Sequence, residues 1–185
     1  GGVAKSTTSM HLSHKAALLG MRVLAIDLDP QGTFTLGFGY VPDIEIKEEE
    51  TIKDAMLKSA TLANKCIRNT YFPGIDLIPG SLALSDLEIL LSNVSEQKKE
   101  IEQQGYPNER LKNILDLAKN NYDLIVLDCG PNLGMLTINA LTAANALLVP
   151  IPPMMSDLGS FVTFTGTLSA LLKHINKDFD FFRIL

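Results

Sequence analysis

Several residue types that define whole classes of protein are scarce in this chain of 185 residues, which has two cysteines, three histidines and no tryptophan. Cys66 and Cys129 stand in unlike contexts, so they indicate neither a disulfide framework nor a set of metal ligands. His11 and His14 lie at helical spacing, but a catalytic zinc site usually takes three protein ligands and no third is apparent. The sequence therefore argues against a disulfide-stabilised scaffold and against a zinc enzyme, and a reducing, cytoplasmic setting is expected.

Long apolar runs and an excess of positive charge are missing as well. The longest apolar run, Ala146 to Ile151, is far shorter than the roughly 20 residues that span a membrane. The net charge of −5 argues against a dominant nucleic-acid footprint in this segment, although it is compatible with a local basic patch. Hydrophobic residues make up 46% of the chain without low-complexity runs, so the chain can bury the core of a single domain.

The stretch with the strongest chemical signal is Gly1-Gly2-Val3-Ala4-Lys5-Ser6-Thr7-Thr8. Glycine lets the backbone approach a ligand closely, and successive N–H groups of such a loop can cradle anionic oxygens. Lys5 can reach the β- and γ-phosphates of a nucleotide, and the Ser6 hydroxyl can ligate Mg²⁺. The match to the generic phosphate loop is incomplete, because Ala4 precedes the lysine where glycine is the rule. A chance turn is the alternative interpretation.

A phosphate loop connects a strand to a helix, which bears on the extent of the domain. We therefore expect a core strand upstream of Gly1. Phe179 to Leu185 has the composition of a strand that is broken off midway. We expect residues 1–185 to form a single P-loop ATPase domain that is truncated at both ends.

Two short apolar strands each end in aspartate. Arg22 to Asp27 leads into the turn Asp27-Leu28-Asp29-Pro30-Gln31-Gly32, and Tyr122 to Asp128 leads into a Gly-Pro break. Ligands of open α/β sheets bind at the carboxyl ends of the strands, so these carboxylates are predicted to lie near the phosphate loop. An apolar strand that ends in aspartate is typical of a Walker B element facing Mg²⁺. For the first strand, the alternative is an Asp-Pro turn with solvated carboxylates.

The rest of the chain alternates strand and helix patterns, which predicts an α/β fold: a doubly wound, mostly parallel sheet with helices on both faces, of the P-loop NTPase type. Within it, Thr33 to Glu50 is predicted to be an exposed excursion because it contains glycines, a proline and an acidic run. Cys66 to Arg68 is predicted to be a short strand, and Ala146 to Ile151 a third buried strand. Glu109 to Lys119 is predicted to be an amphipathic helix.

Taken together, these motifs resemble the ParA-type partition ATPases, within the deviant-Walker-A (MinD/ParA) group of P-loop NTPases. The glycine-rich loop, the strand and turn through Gly32, and the strand that ends at Asp128 stand in the family's order and at suitable spacing. The resemblance extends from Gly1 to about Lys173. The Asp-Leu-Asp-Pro-Gln-Gly turn is its most specific part, and it favours the partition branch over the MinD branch.

The resemblance implies a role for each motif residue, with ATP and Mg²⁺ as the cofactors. Lys5 would hold the β- and γ-phosphates, and Asp29 would position the attacking water. Ser6 would ligate Mg²⁺, Asp128 would orient it through water, and Asp27 would support the metal shell. The nucleotide-binding residues would be Gly1, Gly2, Val3, Ala4, Lys5, Ser6 and Thr7.

The resemblance also implies partners and a function. The protein would be an ATP-dependent dimerisation switch that hydrolyses ATP slowly and drives the partitioning of plasmid or chromosome DNA. It would form a homodimer with Gly1 at the subunit contact, bind DNA non-specifically on the bacterial nucleoid, and be stimulated by a centromere-binding ParB-type protein. No membrane partner is expected.

This sequence departs from the family pattern in three places. The signature lysine of the family belongs immediately before Gly1 and is not in this sequence, Ala4 replaces a commoner glycine, and Gly130-Pro131-Asn132 replaces a commoner Pro-Pro-Ser. Two alternatives stay open. A MinD-like membrane-associated ATPase would need an amphipathic membrane helix, and none is visible before Leu185. A nucleotide-binding regulatory scaffold would lack useful hydrolysis.

Overall fold

Helices and strands alternate through the parts of the chain that the computed structural model describes, residues 4–93, 106–151, 158–175 and 179–185. The helices are α1 (Lys5–Leu18), α2 (Thr33–Gly37), α3 (Lys53–Leu57), α4 (Ala63–Cys66), α5 (Ala83–Ser92), α6 (Arg110–Ala118), α7 (Met135–Ala143) and α8 (Leu158–His174). The strands are β1 (Val23–Asp27), β2 (Arg68–Asn69), β3 (Ile75–Ile78), β4 (Leu124–Asp128), β5 (Ala146–Val149) and β6 (Phe181–Ile184). Short 3-10 helices cover Glu48–Glu50 and Ala60–Leu62.

β1 lies inside a four-stranded sheet with the order β2-β3-β1-β4. It pairs in parallel with both β3 and β4, while β2 is antiparallel to β3 at the edge. Every residue of β1 is buried, which explains why the strand is apolar until its last residue. The register places Asp27 beside Asp128, so two aspartates end neighbouring strands at the same edge of the sheet.

Each face of the sheet is covered by its own set of helices. Alternate residues of a strand point to opposite faces. Leu24 and Ile26 belong to a core built with α3, α5, α6 and α7, whereas Val23 and Ala25 pack with α1 and α2. A mostly parallel sheet with helices on both faces confirms the fold class predicted from the sequence.

The prediction of an exposed excursion over Thr33 to Glu50 is wrong for its first part. Gly32 has a φ of 62°, and this left-handed residue turns the chain directly into α2. Phe34 and Phe38 then fold beneath the sheet with about 1% of their surface exposed, and their rings meet edge to face. A five-residue helix is too short to show a helical period, which is why the sequence pattern missed it.

The predicted strand at Cys66 to Arg68 is shifted in the structure. Cys66 ends α4, where its buried thiol donates to the carbonyl of Thr51 over 3.0 Å, and β2 begins only at Arg68. The amphipathic helix predicted from Glu109 is confirmed as α6. Its buried residues Leu111 and Ile114 lie on one face, as their spacing indicates.

β5 is not the fully buried strand that the sequence predicted. It pairs in parallel with β6 in a separate two-stranded sheet, and its residues are half-buried or exposed. A cleft of about 1070 Å³ lies between β4 and β5, with largely apolar walls that include Leu12, Val126, Leu141 and Leu147. The expectation of a strand that leads into the glycine-rich loop stays a prediction.

Candidate nucleotide-binding site

α1 begins at Lys5, which directly follows the glycine-rich stretch in the sequence. The preceding residue, Ala4, caps the helix in a left-handed conformation with φ 55° and ψ 28°. A residue with a Cβ pays about 1–2 kcal/mol there, so the structure explains why related loops use glycine at this point. Gly1, Gly2 and Val3 lie outside the described residues, so their part in nucleotide binding stays a prediction.

The strain at Ala4 leads to a stability prediction. Ala4→Gly is expected to raise the free energy of unfolding by about 0.5–1 kcal/mol, because the relief of strain exceeds the added flexibility of the unfolded chain. Urea unfolding followed by circular dichroism measures the change. Ala17→Gly in the last turn of α1 is the control at a helical position without strain, and it should lower stability by up to about 1 kcal/mol. Equal losses in both variants would show that Ala4 is unstrained.

Asp128, at the end of β4, is held by two hydroxyl groups of α1. Ser6 Oγ donates to Oδ2 over 2.6 Å, and Ser9 Oγ donates to Oδ1 over 2.8 Å. Burial raises the pKa of the Asp128 carboxyl, the two serine hydrogen bonds oppose that shift, and the charge of Asp29 adds to it. The predicted pair of metal residues, Ser6 and Asp128, is therefore in direct contact.

Asp27 lies deeper than Asp128, and its oxygens accept hydrogen bonds from the protein itself. Oδ2 accepts from the backbone N–H of Thr35 over 2.8 Å and from its hydroxyl over 2.7 Å, and Oδ1 accepts from the N–H of Asp29 over 3.0 Å. Thr35 Oγ1 in turn accepts from the N–H of Gly80. Burial raises the pKa of Asp27 to about 7, although the hydrogen bonds from Thr35 and Asp29 oppose the shift. These contacts tie the turn after β1 to α2 and to the segment after β3, and the predicted support of a metal shell stays a prediction.

The turn after β1 presents Asp29 at the edge of the sheet. The N–H of Gln31 donates to Asp29 Oδ1 over 3.0 Å, which closes a local turn that restricts the carboxylate. A Cβ placed on Gly130, just after β4, would lie 3.6 Å from Asp29 Cγ, so the carboxylate lies close to the end of β4. At Gly80, a Cβ would come within 2.8 Å of Asp27 Cγ and 3.0 Å of the Asp29 carbonyl, so this position requires glycine.

The residues present fit a magnesium nucleotide better than a metal held by protein alone. Mg²⁺ binds oxygen, and it is usually held by one or two carboxylates together with phosphates and waters. Ser6 and Asp128 supply a hydroxyl and a carboxylate next to the helix N-terminus that would face the phosphates. Over the described ranges, no group of three or more His, Cys, Asp or Glu side chains could form an all-protein metal cage.

Two residues of the site and one helix cap were not singled out from the sequence. Ser9 lies three residues after Ser6 on α1, a spacing that could have indicated a shared face. Thr35 lies in the segment that was taken to be exposed, although its surface is fully buried. Glu88 of α5 accepts hydrogen bonds from the N–H groups of Met135 and Leu136 and so caps α7, a contact between distant segments that leaves no local signal.

The sequence of this chain is similar to those of known proteins. The family described as "AAA domain" matches residues 1–181. Protein SopA of Escherichia coli K12 is 38% identical over 183 residues, 97% of this chain and 46% of SopA. The chromosome partitioning protein ParA of Caulobacter vibrioides NA1000 is 35% identical over 153 residues, which are 82% of this chain and 52% of ParA. The chain thus spans about half the length of these relatives.

One solved structure that is similar to this chain contains bound ligands. The cobyrinic acid a,c-diamide synthase of Mycobacterium smegmatis, solved with a bound ATP analogue and magnesium, superposes with a TM-score of 0.78 at 29% identity. The match covers all of this chain and 70% of the synthase. A neighbour with this fold thus holds the pair of ligands that the site geometry suits.

Proposed function

Because this chain belongs to the AAA-domain family, and within it to the ParA-type partition ATPases, we propose that it forms the nucleotide-binding part of an ATP-dependent switch for DNA partitioning. The observation that carries the proposal is the contact of Ser6 with Asp128 at the start of α1, beside Lys5 and the turn that presents Asp29. The partitioning role of the Caulobacter relative supports the cellular function.

In the proposed reaction, each residue has a task set by its position. Lys5, in the first turn of α1, would bind the β- and γ-phosphates, Ser6 would ligate Mg²⁺, and Asp128 would orient the metal through water. Mg²⁺ bound there would supply positive charge to offset the charge that develops on the phosphates. Asp29 positions the attacking water, and Asp27 holds the backbone of the turn on which Asp29 stands.

We infer that hydrolysis is slow and depends on assembly. Phosphoryl transfer to water needs a positioned nucleophile and a cation that stabilises the transition state, often an arginine. The three motifs contain no arginine between Val23 and Gly32 or between Tyr122 and Gly134, and none in the glycine-rich loop. The second subunit of an ATP-bound homodimer would supply the cation, and DNA together with a ParB-type partner would stimulate turnover on the bacterial nucleoid.

Binding of MgATP tests the core of the proposal. The intact protein is expected to bind a fluorescent ATP analogue in the presence of Mg²⁺. Lys5→Ala should weaken this binding by about a hundredfold, because hydrogen bonds to charged groups contribute about 1.5–3 kcal/mol. Lys15→Ala changes an exposed lysine in the last turn of the same helix and should leave binding unchanged.

The outcomes separate the proposed switch from its alternatives. A wild-type protein that binds no nucleotide would overturn the proposal. Binding without phosphate release, even with DNA and the partner protein present, would favour a regulatory scaffold. ATP-dependent pelleting with liposomes would favour a membrane-associated ATPase; among the described helices, none combines the length and apolarity needed to cross a bilayer.

A further inference from the structure

The carboxylate of Asp128 has a separate hydroxyl donor for each of its oxygens. Ser6 Oγ lies 2.6 Å from Oδ2, and Ser9 Oγ lies 2.8 Å from Oδ1. Residues three apart on a helix share one face, so the first two turns of α1 present both hydroxyls to the end of β4. Both hydrogen bonds to the carboxylate thus come from one helix.

The two serines have different roles in the proposed site. Ser6 belongs to the phosphate loop and is the predicted ligand of Mg²⁺, whereas Ser9 belongs to none of the motifs. The terminal torsion of an aspartate is broad, so a single hydrogen bond leaves the carboxylate free to rotate. The bond from Ser9 to the second oxygen removes that freedom. Such partners of metal-site carboxylates set the orientation of the group that serves the metal.

We propose that Ser9 is a positioning residue of the magnesium site, which holds Asp128 in the orientation that serves Ser6 and the metal. The inference rests on the proposed function, since it concerns how the same site binds MgATP. Ser9 itself is half-buried, and its carbonyl accepts a hydrogen bond of 2.8 Å from the fully buried Ser13 hydroxyl. The side chain of Ser9 thus acts on Asp128, whereas that of Ser13 acts within the helix.

A magnesium titration of nucleotide binding by the intact protein tests the proposal. Binding of a fluorescent ATP analogue is followed as MgCl₂ is added, and in parallel in EDTA. Ser9→Ala is expected to raise the Mg²⁺ concentration for half-maximal binding by about tenfold, as is usual when an outer partner of a metal site is removed. Its nucleotide affinity in EDTA and its thermal midpoint should match the wild type.

Two further variants make the test specific. Ser9→Thr keeps the hydroxyl and should restore the Mg²⁺ dependence of the wild type. Ser13→Ala, one turn further along α1, removes a hydroxyl that donates to the Ser9 carbonyl within the helix, and it should also behave like the wild type. If Ser9→Ala lowered the thermal midpoint strongly, the Ser9→Thr titration would still decide, because a raised Mg²⁺ requirement in a variant that keeps the hydroxyl would refute the proposal.

Failure of this inference can be told from failure of the proposed function. An unchanged Mg²⁺ titration in Ser9→Ala, with normal MgATP binding, overturns the positioning role alone. Equal weakening in MgCl₂ and in EDTA also overturns it, because the effect would then be independent of the metal. A wild-type protein that binds no ATP analogue refutes the proposed function and this inference with it.

Discussion

Replacing Asp29 by alanine is expected to lower the rate of ATP turnover by about a hundredfold or more, while the affinity for MgATP stays within about twofold of the wild type. The carboxylate lies on the turn after β1, restrained by the N–H of Gln31 and close to Gly130 at the end of β4. The hydroxyls of Ser6 and Ser9 donate to Asp128 and not to Asp29. Loss of the carboxylate should therefore remove the positioning of water and leave the phosphate and metal contacts in place.

Phosphate release in the presence of DNA and the partner protein measures turnover, and the fluorescent ATP analogue measures binding. Asp29→Asn is the sharper variant, because its amide oxygen can still accept from Gln31 while the charge is lost. Asp116→Ala, an exposed carboxylate of α6 that pairs with Lys119, serves as the matched control and should retain full turnover. Retained turnover in both Asp29 variants would remove this residue from the mechanism.

The Asp29→Ala variant also tests the proposed dimer. Because it should bind ATP without consuming it, the ATP-bound state can be held long enough for sedimentation. We expect a dimer with MgATP and a monomer with MgADP. A monomer in both conditions, with ATP binding shown separately, would refute the dimerisation switch and favour the scaffold.

A second large effect is expected in the dependence of stability on pH, and it arises from Asp27. Burial raises the pKa of this carboxyl from 3.8 to about 7. The folded state then binds the proton more tightly than the unfolded state, so the stabilising contribution is fully present below about pH 4 and is lost as the pH rises to about 7. At about 1.4 kcal/mol per pKa unit, the free energy of unfolding should fall by about 4 kcal/mol across this range.

Urea unfolding between about pH 4 and pH 8, in EDTA and without nucleotide, measures this dependence. Other carboxylates titrate in the same range, so the comparison is with Asp27→Asn, which cannot ionise. As the pH rises across this range, the stability of the wild type should fall by about 4 kcal/mol relative to that of the variant. The absolute stability of the variant is expected to be lower, because the amide cannot accept every hydrogen bond that Thr35 and Asp29 donate. Parallel curves for wild type and variant would show that Asp27 stays ionised throughout.

The candidate site was largely predictable because most of its residues lie within short sequence motifs. Lys5 and Ser6 follow a glycine-rich loop, and Asp27 and Asp128 each end an apolar strand. In open parallel sheets the binding site lies at the carboxyl ends of the strands, so these residues are expected at that one edge. The structure places Ser6, Asp27, Asp29 and Asp128 together there, as predicted.

The failures of prediction have a different physical cause. α2 was missed because five residues show no period, and its helix is stabilised by packing Phe34 and Phe38 under the sheet. β5 was predicted to be buried because its residues are apolar, but apolar composition does not determine which strand pairs with it. In the described structure its partner is β6.

By itself, the sequence determined the α/β class, the helix that follows the glycine-rich stretch and the two acidic strand ends, because residue chemistry and local periodicity are sufficient for these features. Only the tertiary structure decided that β1 lies between β3 and β4, that Asp27 is buried under Thr35, and that Ser9 shares Asp128 with Ser6. Ser9 and Asp128 are separated by 119 positions in the chain. A contact between residues so far apart in the chain depends on how the helix packs against the sheet, so no local sequence pattern predicts it.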